Sequence, residues 1–323
     1  MNRILITPRS LTRSPDPALR ALEEDGYELV FSRPGETPDE AALMALLPGC
    51  VGWLAGVEPV SARVLEGAPS LRAISRNGTG SDNLPVDAAR RLGIKVLRAE
   101  GANARGVAEL AFGLVLASLR HIPEQSTALK GGVWERRTGL EIEGRTLGLI
   151  GCGAVGRLVA RFALALDARV RVYDPYPDPG FSPSGDFAWA SFDEVLAEAE
   201  MLSLHCPMPA DGSAILGEAA IRRIRQGCVV VNTARAALVD DAAMLAALES
   251  GRIGFYSTDV FVAEPPAPSA LLAHPRVIAT PHIGGLTSES VRRATVAAVA
   301  NLRQALREEI VHEEAGGKEA GGA

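Results

Sequence analysis

Residues 146–166 read TLGLIGCGAVGRLVARFALAL, and no other stretch of the 323-residue chain restricts its fold so tightly. An apolar, strand-like run enters a turn spaced GxGxxG, at Gly151, Gly153 and Gly156, and an amphipathic helix leaves it. The first glycine allows the tight turn, the second lets backbone approach a pyrophosphate, and the third lets helix and strand pack closely. The N–H groups that open the helix, on Ala154 and Val155, are then free to bind phosphate oxygens. The next apolar run, RVRVY, leads into Asp174, eighteen residues past Gly156. An acid there accepts hydrogen bonds from both hydroxyls of a ribose, and its charge opposes a 2′-phosphate. Pro175 and Tyr176 beside it offer no cation, so the expected cofactor is NAD rather than NADP.

The rest of the chain repeats the same grammar. Strand-like runs (RILIT, YELVF, CVGWLA and LRAISRN, then MLSLH, CVVVN, GFYST and RVIAT) alternate with helical stretches, which predicts an α/β fold with parallel sheets. The length fits two domains or one large one. Residues 103–122, NARGVAELAFGLVLASLRHI, read as one long apolar helix connecting two lobes, and a polar segment follows it. A last helix is expected from Ser288 to about residue 310, and residues 311–323, rich in Gly, Ala and charge, are expected to be a disordered tail.

Composition excludes several partner classes. The net charge is −6, and the 33 basic residues are interspersed with acidic ones, which argues against nucleic acid. No run of about 18 apolar residues suggests a membrane span, and the N-terminus lacks the pattern of a signal peptide, so a cytoplasmic protein is expected. Cys50, Cys152, Cys206 and Cys228 are too scattered for a zinc site or a disulfide framework; no metal is expected.

Three segments that follow successive strands of the second half each carry one ionisable residue suited to chemistry: Arg235 in NTARAALVDD, Glu264 in TDVFVAEPP and His282 in TPHIGG. Hydride transfer to a 2-keto acid needs a cation to hold the carboxylate and polarise the carbonyl, and an acid to protonate the developing alkoxide. Arg235 suits the first task through its fork of donors. His282 suits the second, and a carboxylate such as Glu264 beside it would favour the imidazolium.

The segments RNGTGSDNLPVDAARRLGI (76–94), NARGVAEL (103–110), GLIGCGAVGRLVA (148–160), YDPY (173–176), LHCPMPADG (204–212), VNTARAALVDD (231–241), STDVFVAEPP (257–266) and TPHIGG (280–285) together resemble the D-isomer-specific 2-hydroxyacid dehydrogenases. The likeness is greatest to the phosphoglycerate dehydrogenase-like branch. The resemblance implies a Rossmann dinucleotide-binding domain over residues 99–287. It also implies a flavodoxin-like substrate-binding domain over residues 1–98 and 288–310, a cleft that closes on ligand, and a homodimer. Its catalytic set falls on Arg235, Glu264 and His282. Its cofactor contacts fall on Thr79, the glycine loop with Ala154 and Val155, Asp174, Cys206, Pro207, Thr233, Ala234, Arg235, Asp259, His282, Gly284 and Gly285. Substrate contacts fall on Arg76, Asn77, Gly78, Asn103 and Arg235, with the backbone of Asn77–Gly80 receiving the carboxylate.

The implied activity is NAD-dependent interconversion of a small 2-hydroxy acid and its 2-keto acid. Phosphoglycerate dehydrogenases carry an Arg and a Lys within the segment corresponding to residues 54–66. Ala55 and Pro59 stand there instead, with Glu58 added. Hydroxypyruvate, glyoxylate or a phosphonate are therefore alternative substrates. The same family also includes NAD-sensing corepressors, a rival reading without turnover.

Overall fold

The structure is a computed structural model that describes the backbone of residues 2–319 and the side chains of residues 2–308. The chain divides into two compact units. One runs through Asn103 and resumes at Ser288, and the other is Ala104–Thr287.

The first unit is built on five parallel strands: β1 (Arg3–Ile6), β2 (Glu28–Phe31), β3 (Cys50–Ala55), β4 (Ala73–Arg76) and β5 (Lys95–Arg98). Their order across the sheet is β2-β1-β3-β4-β5, the flavodoxin-like arrangement, and the order reverses between β1 and β3. Side chains alternate between its faces, as a period of two requires. Leu5, Trp53 and Ile74 pack with Leu43, Val64 and Leu65 on one side; Ile4, Ile6 and Leu54 pack with Ala298, Leu302 and Leu306 of the last helix on the other. That helix, Ser288–Glu319, is also tied by charge. Arg303 donates to both oxygens of Asp25, at 2.6 and 2.9 Å, and Arg307 donates at 2.8 Å; the two guanidiniums hold the Asp25 carboxyl down at about 2.

The second unit has seven parallel strands: β6 (Thr146–Ile150), β7 (Arg169–Tyr173), β8 (Phe187–Trp189), β9 (Met201–Leu204), β10 (Cys228–Asn232), β11 (Ile253–Thr258) and β12 (Val277–Ala279). The order β12-β11-β10-β9-β6-β7-β8 is doubly wound, and it reverses between β6 and β9, directly above the glycine turn. Strands β6, β9 and β10 are buried throughout, as strands covered on both faces should be. Among the described residues no single helix is long and apolar enough to cross a membrane.

Several expectations need correction. The helix read as a connector over 103–122 is Ala104–Leu119, and it lies in the core of the second unit, where Ala108, Ala111 and Val115 pack with Leu147, Val159 and Ala160. It stops because His121 takes a left-handed backbone, φ 53°, which no right-handed helix accommodates. A separate helix, Ile122–Lys130, then occupies part of the segment read as polar. The first unit extends to Asn103 rather than 98, since Ala99 donates to Gly78 O at 3.0 Å and Arg293 to Ala102 O at 2.9 Å, binding residues 99–103 to it. The last helix continues into the expected disordered tail as far as Glu319; residues 320–323 lie outside the described residues.

Candidate active site

The site of the second unit grows from the carboxyl ends of six strands. After β6, Gly151 adopts φ 97°, and a Cβ there would lie 2.5 Å from the His205 carbonyl oxygen. Nothing lies within 4 Å of the Cβ position of Gly153, which leaves its face of the turn open. The helix Ala154–Leu164 starts there with no side-chain cap, so the N–H groups of its first turn, from Ala154 and Val155 on, are available to an anion. Asp174, after β7, braces this turn as well as facing a ribose role: its oxygens accept from Cys152 N at 2.8 Å and from Tyr176 N at 2.9 Å. Each oxygen keeps a lone pair for a hydroxyl donor. Cys206 and Pro207 follow β9; burial pushes the Cys206 thiol, like that of Cys152, up to about 11, so neither is a nucleophile at neutral pH.

After β10 the loop Thr233–Arg235 is shaped by a residue that sequence reasoning missed. Asn232 is fully buried, and its amide accepts from Ala234 N at 3.1 Å and donates to Arg235 O at 2.8 Å. Thr233 Oγ1 is buried without a partner, the kind of orphaned polar atom that a bound cofactor satisfies. Arg235 itself is exposed, with Nη1 donating to Ala234 O at 2.8 Å. The signal for Asn232 was its place at the end of an all-apolar strand, where an amide is costly to bury unless it is fully bonded.

After β11 and β12 two loops are locked together. Asp259, 1% exposed, accepts from Thr280 Oγ1 at 2.6 Å and Ile283 N at 2.8 Å on Oδ1, and from Gly284 N at 2.8 Å on Oδ2. These three donors flank His282, whose own backbone is left-handed at φ 53°, an uncommon conformation for a residue with a Cβ. His282 Nδ1 lies 2.8 and 2.9 Å from the two carboxylate oxygens of Glu264. The side chains of both are partly exposed, His282 by 55% and Glu264 by 42%. Gly285 follows in the same loop. His205, by contrast, bonds Ser203 through Nε2 at 2.9 Å, and desolvation holds its imidazole down at about 3, neutral and structural.

The open glycine turn, the uncapped helix start, the acid after β7 and the orphaned Thr233 hydroxyl together fit a dinucleotide. The first unit carries the remaining expected residues at the end of β4 and in the loops after β4 and β5. Arg76 Nη1 donates to Asn77 O at 2.8 Å, and Thr79 Oγ1 donates to Asn103 Oδ1 at 2.6 Å. The expectation that backbone from Asn77 onward receives a carboxylate narrows here. Asn77 N donates to Ala55 O and Gly78 N to Arg76 O, both at 2.8 Å, so the N–H groups left for a ligand are those of Thr79 and Gly80.

The family model for the D-isomer specific 2-hydroxyacid dehydrogenase, NAD binding domain, matches residues 112–284. D-3-phosphoglycerate dehydrogenase of Mycobacterium leprae is 36% identical over 277 residues, which is 85% of this chain and 52% of that protein. Hydroxypyruvate reductase of Thermotoga maritima is 38% identical over 250 residues, 75% of this chain and 80% of that one. The crystal structure of the TT0316 protein of Thermus thermophilus superposes with a TM-score of 0.85 at 33% identity, covering 95% of this chain and 97% of its own. The chain spans about half the length of the phosphoglycerate dehydrogenases it matches.

Proposed function

We propose a function from one premise: the chain belongs to the D-isomer specific 2-hydroxyacid dehydrogenase family. It is an NAD-dependent oxidoreductase that interconverts a small 2-keto acid and the corresponding D-2-hydroxy acid. The observation that carries this reading is the His282–Glu264 pair, hydrogen-bonded at 2.8 Å on a loop anchored by Asp259.

Bound NADH supplies the hydride that reduces C2. The chain's own residues do the rest. Arg235 pairs with the substrate carboxylate and polarises the carbonyl through charge-assisted donors. Glu264 accepts Nδ1–H of His282, which fixes the ring and leaves Nε2 to carry the exchangeable proton. Imidazolium His282 gives that proton to the alkoxide oxygen as hydride arrives; in the oxidative direction neutral His282 takes it back. Asp259 acts at one remove, holding the loop that carries His282. Asp174 favours NAD over NADP by its charge.

Hydroxypyruvate and phosphohydroxypyruvate are the leading substrate candidates, from the names of the similar proteins. The protein is proposed to act in the cytoplasm as a homodimer. A run of exposed apolar side chains supports the dimer: Ile122, Leu129, Val133, Trp134 and Leu140, with Trp134 exposed by 80%. Light scattering checks it, and a monomeric mass would remove it.

The test of the reaction is NADH oxidation with a panel of 2-keto acids that includes hydroxypyruvate, glyoxylate and phosphohydroxypyruvate, repeated with NADPH. Turnover with NADH on at least one acid is expected, and NADPH should be the poorer cofactor. Binding of NADH without turnover on any acid would sink the reductase reading.

A further inference from the structure

Among its described residues the first unit buries a single acidic side chain, Glu58, which is 1% exposed. It lies three residues past β3, beside the gap between β1 and β3 where the strand order reverses and where open parallel sheets collect ligands. Donors from two strand ends hold its carboxylate. Gly56 N–H donates to Oε1 at 2.8 Å. The Thr7 hydroxyl, which accepts from Trp53 Nε1 at 2.9 Å, donates to the same oxygen. Asn83 Nδ2 secures the loop by donating to Glu58 O at 2.7 Å. The carboxylate lies so close over Gly56 that a Cβ there would be 2.6 Å from Oε2.

The next strand end adds a cation. Arg76 closes β4 within electrostatic reach of Glu58, and its Nε is buried without a hydrogen-bond partner. Burial lowers the pKa of this guanidinium, while Glu58, and after it Asp82, act to raise it.

A strand-end N–H, a hydroxyl and a guanidinium are the donors that a phosphate takes. Here the chain's own carboxylate occupies the first two and lies in the field of the third. Strands β3 and β4 are hydrogen-bonded neighbours, roughly 4.8 Å apart, so the β3 end borders whatever binds at Thr79 and Gly80 after β4. A second anionic group on that ligand would meet a buried like charge. At an effective dielectric near 20, such repulsion over several ångström costs about ten- to a hundredfold in affinity.

We propose that Glu58 is a specificity-determining residue: an internal anion that fills the anion site of the first unit and restricts the enzyme to 2-keto acids whose tail carries no phosphate. The role rests on the reductase reading above.

The test compares kcat/KM for phosphohydroxypyruvate and hydroxypyruvate, with NADH, in the wild-type protein and in Glu58→Gln. Glutamine keeps an acceptor for Gly56 N–H and Thr7 but removes the charge. The wild type should favour hydroxypyruvate by at least about tenfold, and Glu58→Gln should move the ratio toward the phosphorylated acid by about ten- to a hundredfold. A wild type that prefers phosphohydroxypyruvate, or a folded variant with an unmoved ratio, overturns the role of Glu58 and leaves the reductase standing. The wild-type ratio decides alone if the variant does not fold. No turnover of any 2-keto acid overturns the reductase and this role with it.

Discussion

Each unit of the protein buries one acidic side chain to 1% exposure among its described residues, just past the carboxyl end of a strand, yet the two are bound differently. Asp259 is bound by a hydroxyl and two backbone N–H groups, all from the loop of residues 280–284. Its charge is spent inward, on the shape of one loop. Glu58 is bound by Gly56 and Thr7 and shares the field of Arg76, a cation at a strand end where ligands collect. Its charge also acts outward. A buried carboxylate satisfied wholly by one loop is a scaffold; one set beside a guanidinium at a ligand-binding edge is a selector.

That contrast can be broken by mutation. His282→Ala sets the ceiling: loss of the proton carrier should lower turnover by roughly 10² to 10⁴, with NADH affinity nearly intact. Equal turnover would remove His282 from the mechanism. Asp259→Ala leaves the part-buried N–H of Ile283 and the buried N–H of Gly284 without their acceptor and frees the loop, so a kcat loss of about ten- to a hundredfold is expected. Because Asp259 acts through His282, the double variant should be no slower than His282→Ala alone. Additive losses would show that Asp259 has a separate catalytic task. The selector should behave otherwise, moving the ratio between substrates.

The smallest effect concerns neither carboxylate but the acid sensitivity of the first unit. Two arginines hold Asp25 at about 2 instead of the usual 3.8. A depressed carboxyl stabilises the fold above its unfolded value, and that contribution fades as pH falls from 3.8 toward about 2. Asp25→Asn should therefore melt a few degrees lower than the wild type at neutral pH, with the gap closing across that acidic window. A gap of constant size would mean that the ion pairs are not its source.

Much of this was legible in the chain. The strand, glycine turn and helix at 146–166 are contiguous, so their geometry follows from local order. Arg235, Glu264 and His282 could be grouped because each follows a strand, before anything showed that Glu264 and His282 touch. What stayed hidden were contacts that depend on strand order. Thr280 bonds Asp259 from 21 residues away, and Thr7 reaches Glu58 across 51; neither spacing leaves a pattern in sequence. The sequence displayed Glu58 as an addition but not its burial. The break at His121 was hidden too, because the apolar run continues through it while the backbone does not. Strands β5 and β8 were not singled out in the sequence.

Following the hydride tests the proposed reaction most directly. The protein is incubated with hydroxypyruvate and NADH deuterated on the transferable face of nicotinamide C4, and the product is analysed for isotope position and configuration. D-glycerate bearing one deuterium at C2 is the expected product. L-glycerate, or product without the label at C2, would contradict the D-specific hydride transfer on which the whole reading rests.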